Sequence, residues 1–510
     1  MNPPADSIDV RAEGGMTPRV AGFVDRHPAW CALAVALLSL ALKVPGIDRR
    51  GLWFDESYTV WLASHRPAEI VGLSLGDQNP PLYGLLMWGW VRLVGMSEAA
   101  LRTPSVAASV ATAVLLLLFA RRFFDGEVAV VSSLLFAASE PQLYYAREAR
   151  GYALLGLLCV ASFWLYLRLL ERPSWRAATA LGLVNATAMY TSFTIGLAFL
   201  AQAACTPIFA RRSPRGFRLY LASQFLAVAI FAPWLAPMRR NLPEAGKFWL
   251  QPPGSFEFNS VVDGLSGGPF VLKAALVGVI AVAAAAAFGF TRRPGNSGQG
   301  SGFGARTTVV AAWATFPIVL GFIVSQWIPV FNLRYQLAAS LGWFLLVGVI
   351  VSRLPLGARW RFVAGLLVVA VAATRLDREK RRGADWRELS DFVVSKFNGS
   401  TSVVISPSFY CMSLAYYASP EVLGHPDRFI DELARQGVQC SDDLEALPLP
   451  GSGIDRVVLV GPEVRSLVPK LERAGFEPLV ERQSAESWAG AMQRRRRFGD
   501  GVPSDGPSGG

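Results

Sequence analysis

The sequence predicts an α-helical polytopic membrane protein with about eleven spans, followed by a small α/β domain at the C-terminal end. Three observations carry that prediction. Of 510 residues, 52% are hydrophobic and only 17% charged, against about a quarter charged in soluble domains. The deficit is concentrated: from about residue 28 to 375 one apolar run follows another, whereas from 376 the composition is that of a soluble domain. The arginines fall in short clusters between the apolar runs, as the positive-inside rule produces. The net charge of +11 is therefore read as membrane topology, not as a surface for nucleic acid.

Apolar segments long enough to approach a bilayer-spanning helix fall at roughly 29–45, 103–120, 127–142, 151–169, 175–191, 193–210, 217–236, 269–290, 307–327, 334–352 and 360–375. A further run, 81–95, follows Pro80-Pro81 and contains Trp88, Trp90 and Arg92. Charge decides its placement. Arg121-Arg122, Arg172 with Arg176, Arg211-Arg212 with Arg215 and Arg218, Arg292-Arg293, and Arg353 with Arg359 and Arg361 each lie two spans after the last. All then share the cytosolic side, the N-terminus is also inside, and 46–102 begins and ends outside. That requires 81–95 to lie in the outer interface without crossing, which suits its tryptophans.

The polar residues 1–27 read as a disordered cytosolic tail, and the apolar run after them as an uncleaved first helix. The outer segments are 46–102, 237–268 and the tail. The glycine-rich stretch 291–306 has no strand before it and no Lys-Ser/Thr after it, so it is a linker and not a phosphate loop. In the tail, 376–484 is the soluble domain. Residues 401–407, 456–461 and 476–481 read as strands and 463–474 as a helix. Residues 485–510, with Arg494 to Arg497, read as disordered. Cys31, Cys159 and Cys205 lie in apolar runs; Cys411 and Cys440 lie in the tail and are able to pair if it is outside the cytosol. Three histidines without ligand spacing argue against a His-built metal site.

Four elements carry candidate chemistry, all at the predicted outer rim. Asp55-Glu56 stands just past the first span, where adjacent acids suit base or metal-ligand work, or where Asp55 simply caps the helix that follows. The stretch 76–88 opens the interfacial helix with two prolines. The third element, 139–155, crowds Glu140, Tyr144, Tyr145, Arg147, Glu148, Arg150 and Tyr152 together. Arg147 and Arg150 share a face if the segment is helical. Arg334 and Tyr335 open the tenth span, and Arg102 is a similar outer arginine. Arginine at headgroup level suits a lipid phosphate or pyrophosphate, though it also snorkels without function. Acid plus arginine at the bilayer edge fits group transfer from a lipid phosphate.

The arrangement resembles the GT-C superfamily of polyprenyl-phosphate-sugar-dependent glycosyltransferases, most nearly its family 39 branch of protein mannosyltransferases and lipid A aminoarabinose transferases. The resemblance rests on Asp55-Glu56, on Asn79-Pro80-Pro81-Leu82-Tyr83, and on Arg102 with Pro104-Ser105. It extends to Tyr145 through Tyr152, Arg334-Tyr335 and Ala384-Asp385-Trp386-Arg387, covering about residues 28–400. It implies a bacterial inner-membrane enzyme that transfers a sugar from a polyprenyl-phosphate donor, with inversion, to a lipid, glycan or protein on the outer face. Asp55 would activate the acceptor, directly or through a divalent metal ion, with Glu56 assisting. Arg147, Arg150 and Arg334 would hold the donor phosphate, and Asn79, Tyr83, Arg102, Tyr145, Tyr152 and Tyr335 would line the pocket. Tyr83-Gly84 stands where the protein mannosyltransferases carry Gly-Lys, which argues against a protein acceptor. The rival readings are a transporter or flippase of lipid-linked glycans, a polymerase or ligase using lipid pyrophosphate, and a non-catalytic scaffold. A transporter calls for polar residues within the spans, and the spans read as almost wholly apolar.

Overall fold

The computed structural model describes residues 22–77, 79–210, 213–240, 251–272, 275, 299–328, 330–376, 386–396, 400–418, 420, 423, 428–445, 447, 450–451, 453–483 and 488–495. Helices coincide with every expected span except 269–290, most of which lies outside the described residues. Five described helices are long and apolar enough to cross a membrane: Glu98–Phe123, Tyr152–Glu171, Pro214–Pro237, Phe303–Val324 and Leu333–Arg353. The run 81–95 is the shorter apolar helix Leu82–Val94. Of the expected tails 1–27 and 485–510, residues 1–21 and 496–510 fall outside the described residues, as does most of the linker 291–306; residues 22–26 are helical, not disordered.

The chain divides into two compact units, and their boundaries are not the linear ones expected from composition. One comprises Met1–Ile47, Val71–Tyr83 and Arg102–Lys380; the other comprises Asp48–Ile70, Gly84–Leu101 and Arg381–Gly510. The soluble tail therefore shares its unit with most of the first outer segment, because the two segments bond to one another extensively, as described below.

The membrane unit is a helical bundle closed by small residues and aromatics. Trp313 stacks on Phe163 with ring centroids 3.9 Å apart and donates its indole N–H to the Ala338 carbonyl at 2.9 Å. Gly342 lets the helix Leu333–Arg353 come close beside that tryptophan: a Cβ there would lie 2.7 Å from the Ala314 nitrogen. The expectation of almost wholly apolar spans is corrected here. Ser162 donates to Asn185 at 2.6 Å and accepts from Gln202 at 2.8 Å, and Asn185 donates to Gln224 at 3.2 Å. Four helices are thereby joined side chain to side chain, which is how polar residues hold helices together where water is absent. The network is an internal hydrogen-bonded clasp and does not by itself indicate a transport path.

Among the described residues, Arg121, Arg122, Arg306, Arg353 and Arg361 share one end of this bundle. Glu171 bonds both Arg122 (2.7 Å) and Arg306 (2.6 Å), Arg361 pairs with Glu127 (3.2 Å), and Arg121 with Asp25 (3.5 Å). Arg353 lies over the Phe303 ring at 3.8 Å. The helix Pro28–Lys43 runs away from this end, and Glu98–Phe123 returns to it. At the opposite end Arg102 donates to the Ile47 carbonyl at 2.7 Å, so the chain leaves and re-enters the bundle at the same end.

The second unit contains a five-stranded sheet: β1 (Thr401–Ile405), β2 (Val438–Cys440), β3 (Arg456–Val460), β4 (Phe476–Gln483) and β5 (Trp488–Arg494), in the order β2-β1-β3-β5-β4. β1 runs parallel to β2 and β3, while β5 is antiparallel to β3 and β4. β5 corrects the expectation of disorder from 485. Its small residues Ala489, Gly490 and Ala491 fit an inner strand, with Val458 opposite Ala491 and Leu459 opposite Gly490. Glycine, serine and arginine nearby masked that signal. Cys411 and Cys440 are joined by a disulfide, with Cα atoms 6.2 Å apart, tying the helix Cys411–Ala418 to the end of β2.

Candidate functional site

The acid pair begins the helix Phe54–Ser64. Trp53 is its N-cap, in extended conformation, and the Glu56 carboxylate reaches back to accept the Trp53 N–H at 3.4 Å. Glu56 is fully buried, whereas Asp55 is partly exposed. The capping role considered for Asp55 thus belongs to Glu56. Asp55 sits in the first helical turn, where backbone N–H groups favour an anion, and its carbonyl accepts the Thr59 hydroxyl at 3.0 Å.

Aromatic packing holds this turn. The Phe54 ring lies 4.2 Å from Phe409, and Phe409 and Trp386 both pack on Tyr410. Gly84 is explained by packing rather than by ligand chemistry. A Cβ there would meet Leu62 at 2.9 Å and Ile70 at 3.2 Å, so glycine lets the helix Leu82–Val94 rest on the acid-bearing segment. Arg92 is occupied by the Trp88 ring, 4.4 Å away, and by the Ala63 and Trp88 carbonyls.

The arginines and tyrosines belong to the membrane unit. The helix Gly126–Ala137 ends, Ser139 and Pro141 restart the chain as Glu140–Ala146, and the next helix begins at Tyr152. Arg147 and Arg150 lie in the turn between helices, not on one helical face, which corrects the i, i+3 expectation. Tertiary contacts hold the turn open. Ser105 donates to the Arg150 carbonyl at 3.0 Å and lies 3.2 Å from the Tyr83 hydroxyl. Gly151 approaches Thr191 and the Tyr83 ring so closely that a Cβ would lie 3.0 and 3.4 Å from them.

Arg147 is used as a cap. Its guanidinium donates to the carbonyls of Leu42 (2.6 Å), Lys43 (3.0 Å) and Pro45 (2.8 Å), closing the C-terminal end of the helix Pro28–Lys43. Arg102, 1% exposed, plays a similar part for Ile47. Arg150 and Arg334 are partly exposed. Asn332 caps the helix Leu333–Arg353 by accepting the Arg334 N–H, and the Arg334 guanidinium lies 5.8 Å from the Tyr335 ring. Asn79 is exposed, with Asp77 at 3.3 Å as an acceptor.

Tyr145 stands at the centre of an aromatic cluster, 5.1 Å from both Tyr144 and Tyr152 in edge-to-face geometry. Burial, and next the charge of Glu148, push the Tyr145 phenol well above the usual tyrosine range, so it remains a neutral hydrogen-bonding group. Phe258, Val261 and Leu265 of the helix Ser255–Ser266 join this cluster with Phe331 and Leu337. That helix was missed in the sequence, although the 258, 261, 265 spacing is amphipathic. Lys43 was missed too: it is fully buried at the end of the helix Pro28–Lys43, its Nζ 5.0 Å from the Phe136 ring centroid. A lone lysine in an apolar run was the available signal. Ala384 and Asp385 lie outside the described residues, but Arg387 enters the acid-bearing unit directly.

The divalent metal implied by the resemblance does not find a matching donor set. Among the described residues no group of three or more His, Cys, Asp or Glu side chains is placed to hold a metal ion. Of the acid pair, Glu56 already serves the helix cap.

The comparisons with known proteins agree with this architecture. Residues 78–236 match the family described as dolichyl-phosphate-mannose-protein mannosyltransferase. That stretch holds Asn79, Tyr83, Arg102, Arg147 and Arg150, but neither Asp55 nor Arg334. The crystal structure of ArnT from Cupriavidus metallidurans bound to undecaprenyl phosphate is similar with a TM-score of 0.55 at 14% identity, covering 91% of this chain and 98% of that one. Apo ArnT gives 0.56 at 13% identity, with the same coverage. A fainter likeness, TM-score 0.46 at 12% identity, is to the Archaeoglobus fulgidus oligosaccharyltransferase, covering 86% of this chain and 69% of that one. No curated protein sequence matches the chain. The protein is a polytopic membrane protein, and its fold is that of the GT-C superfamily.

Proposed function

We propose that this protein is a membrane glycosyltransferase that moves a sugar from a polyprenyl-phosphate donor to a lipid, glycan or protein acceptor. The observation that carries this reading is the division of the acid pair on a GT-C fold: Glu56 is buried in the helix cap, leaving Asp55 partly exposed in the same turn. Asp55 is assigned as the general base. It takes the proton of the acceptor hydroxyl as that oxygen bonds to the anomeric carbon. The bond from that carbon to the phosphate oxygen breaks with its electron pair, and the configuration inverts. Arg150 and Arg334 are assigned to the phosphate, where charge develops as it leaves. Arg147, committed to three carbonyls, contributes mainly by fixing the turn that carries Arg150. The tyrosines supply neutral hydrogen-bonding groups and an apolar wall for the lipid.

The reading includes an orientation: an inner membrane, with the N-terminus in the cytosol, the helix Leu82–Val94 not crossing, and the C-terminal domain outside. Two findings support it. Arg122, Arg306 and Arg361 share one end of the bundle, and the Cys411–Cys440 disulfide suits an oxidising compartment. The test is turnover by Asp55→Asn with a polyprenyl-phosphate sugar. The expected result is a loss of at least ~100-fold, the low end of general-base contributions, with donor binding retained. Normal turnover overturns the assignment.

A further inference from the structure

The acid-bearing segment is held from both sides by residues more than three hundred positions later in the chain. The Tyr417 hydroxyl accepts the Leu52 N–H at 2.6 Å and donates to the Glu98 carboxylate. Arg387 pairs with the same carboxylate and donates to the Asp48 carbonyl at 2.9 Å. Ser413 donates to Ser57 at 3.0 Å in a buried contact, and Phe409 packs on Phe54. Tyr416 donates to the Met96 carbonyl at 2.6 Å. Residues 48, 52, 54 and 57 therefore each have a fixed partner, and Asp55 lies within that bracket. Two of these partners, Ser413 and Tyr417, come from the helix Cys411–Ala418, as does Tyr416 on Met96, and the first residue of that helix is tied to β2 by the disulfide.

We propose that this helix is the positioning element for Asp55, and that Tyr417 is a positioning residue for the transfer reaction. The inference rests on the reading of Asp55 as the base. The C-terminal domain then acts in catalysis without contributing a group to the reacting atoms. The physical reason is that a base delivers its rate only at the correct distance and angle, and small misplacements cost up to about 10²-fold. Leu52 lies in a segment without helix or strand of its own, so its N–H takes its partner from a side chain. Tyr417 supplies that partner, and Glu98 with Arg387 orients the phenol.

The test uses the full chain in its membrane. The kcat and donor KM are measured for the wild type, Tyr417→Phe, Asp55→Asn and the double variant. Tyr417→Phe is expected to lower kcat about tenfold with donor KM within about twofold, and to cost nothing further in the Asp55→Asn background. Such non-additivity is the mark of two residues acting through one group. A Tyr417→Phe kcat within about twofold of wild type, or losses that multiply in the double variant, overturns the inference while leaving Asp55 as the base. Full turnover by Asp55→Asn overturns both. Should Tyr417→Phe fail to accumulate, Ser413→Ala serves in its place. A kcat loss that vanishes in the Asp55→Asn background is then expected, and no loss or a multiplying loss overturns the inference.

Discussion

The acid-bearing unit and the membrane unit position their charged residues by different means. In the membrane unit the partners are mostly backbone groups at helix ends: Arg147 on three carbonyls of one turn, Arg102 on Ile47, Asn332 on the Arg334 N–H. In the acid-bearing unit Glu56 also caps its own helix, but the segment around the acid pair is held by side chains from the C-terminal domain, reaching 339 to 365 positions back along the chain. The contrast separates two kinds of precision. Helix ends fix a group through elements that form anyway in a packed bundle. The acid segment depends on a second, soluble fold being complete. Substitutions should therefore act differently in the two regions, mainly on kcat around Asp55 and on donor KM or stability around the arginines.

The largest contrast is expected within the acid pair. Asp55→Asn should lose at least ~100-fold in turnover while keeping its thermal midpoint. Glu56→Gln should lose less turnover and keep its stability, because a glutamine oxygen can still accept the Trp53 N–H of the helix cap. An inactive Glu56→Gln beside a normal Asp55→Asn would exchange the two roles. Next in size is Arg150→Ala, expected to raise donor KM roughly tenfold, since a charge-assisted bond contributes about 1.5–3 kcal/mol, with kcat changed less. Unchanged KM would remove Arg150 from the phosphate site. Arg147→Ala should show the converse pattern: a lower thermal midpoint from three uncapped carbonyls and a smaller KM effect than Arg150→Ala. A stable Arg147→Ala with the larger KM defect would make Arg147 the phosphate ligand after all.

The smallest effect concerns pH. Burial, and next the hydrogen bond to Glu98, push the Tyr417 phenol well above the usual range. A raised folded value stabilises fully below the unfolded pKa of about 10 and is lost as pH rises through the folded value. Wild-type thermal stability should therefore fall more steeply above about pH 10 than that of Tyr417→Phe. Parallel profiles would show that the phenol does not remain protonated in the folded protein.

The contrast also explains how much the sequence showed. Apolar runs and arginine clusters are local, so most of the span helices and the end of the bundle shared by Arg121, Arg122 and Arg361 were readable in advance. The acid pair and the Arg/Tyr turn were readable as residues, but their partners were not. Whether Glu56 or Asp55 caps the helix depends on side-chain direction in a single turn. The irregular turn at Arg147–Arg150 is set by Ser105, Tyr83 and Thr191, all distant in sequence. Tyr417 gave no local sign, and Arg387 stood out only within the motif Ala384–Arg387, because their role exists only once the C-terminal domain folds against residues 48–57. β5 was hidden by composition: a strand of alanine and glycine lacks the β-branched residues that mark strands.

The central claim is transfer of a sugar from a polyprenyl monophosphate, and it is tested most directly by radiolabelled transfer in membranes carrying the wild-type chain. Polyprenyl-phosphate sugars and their pyrophosphate-linked counterparts are supplied in parallel, with Asp55→Asn membranes as the control. The account predicts label moving from at least one monophosphate donor to an acceptor in wild-type membranes, and at least ~100-fold less in the control. Transfer only from pyrophosphate donors, or equal transfer in both membranes, would contradict it.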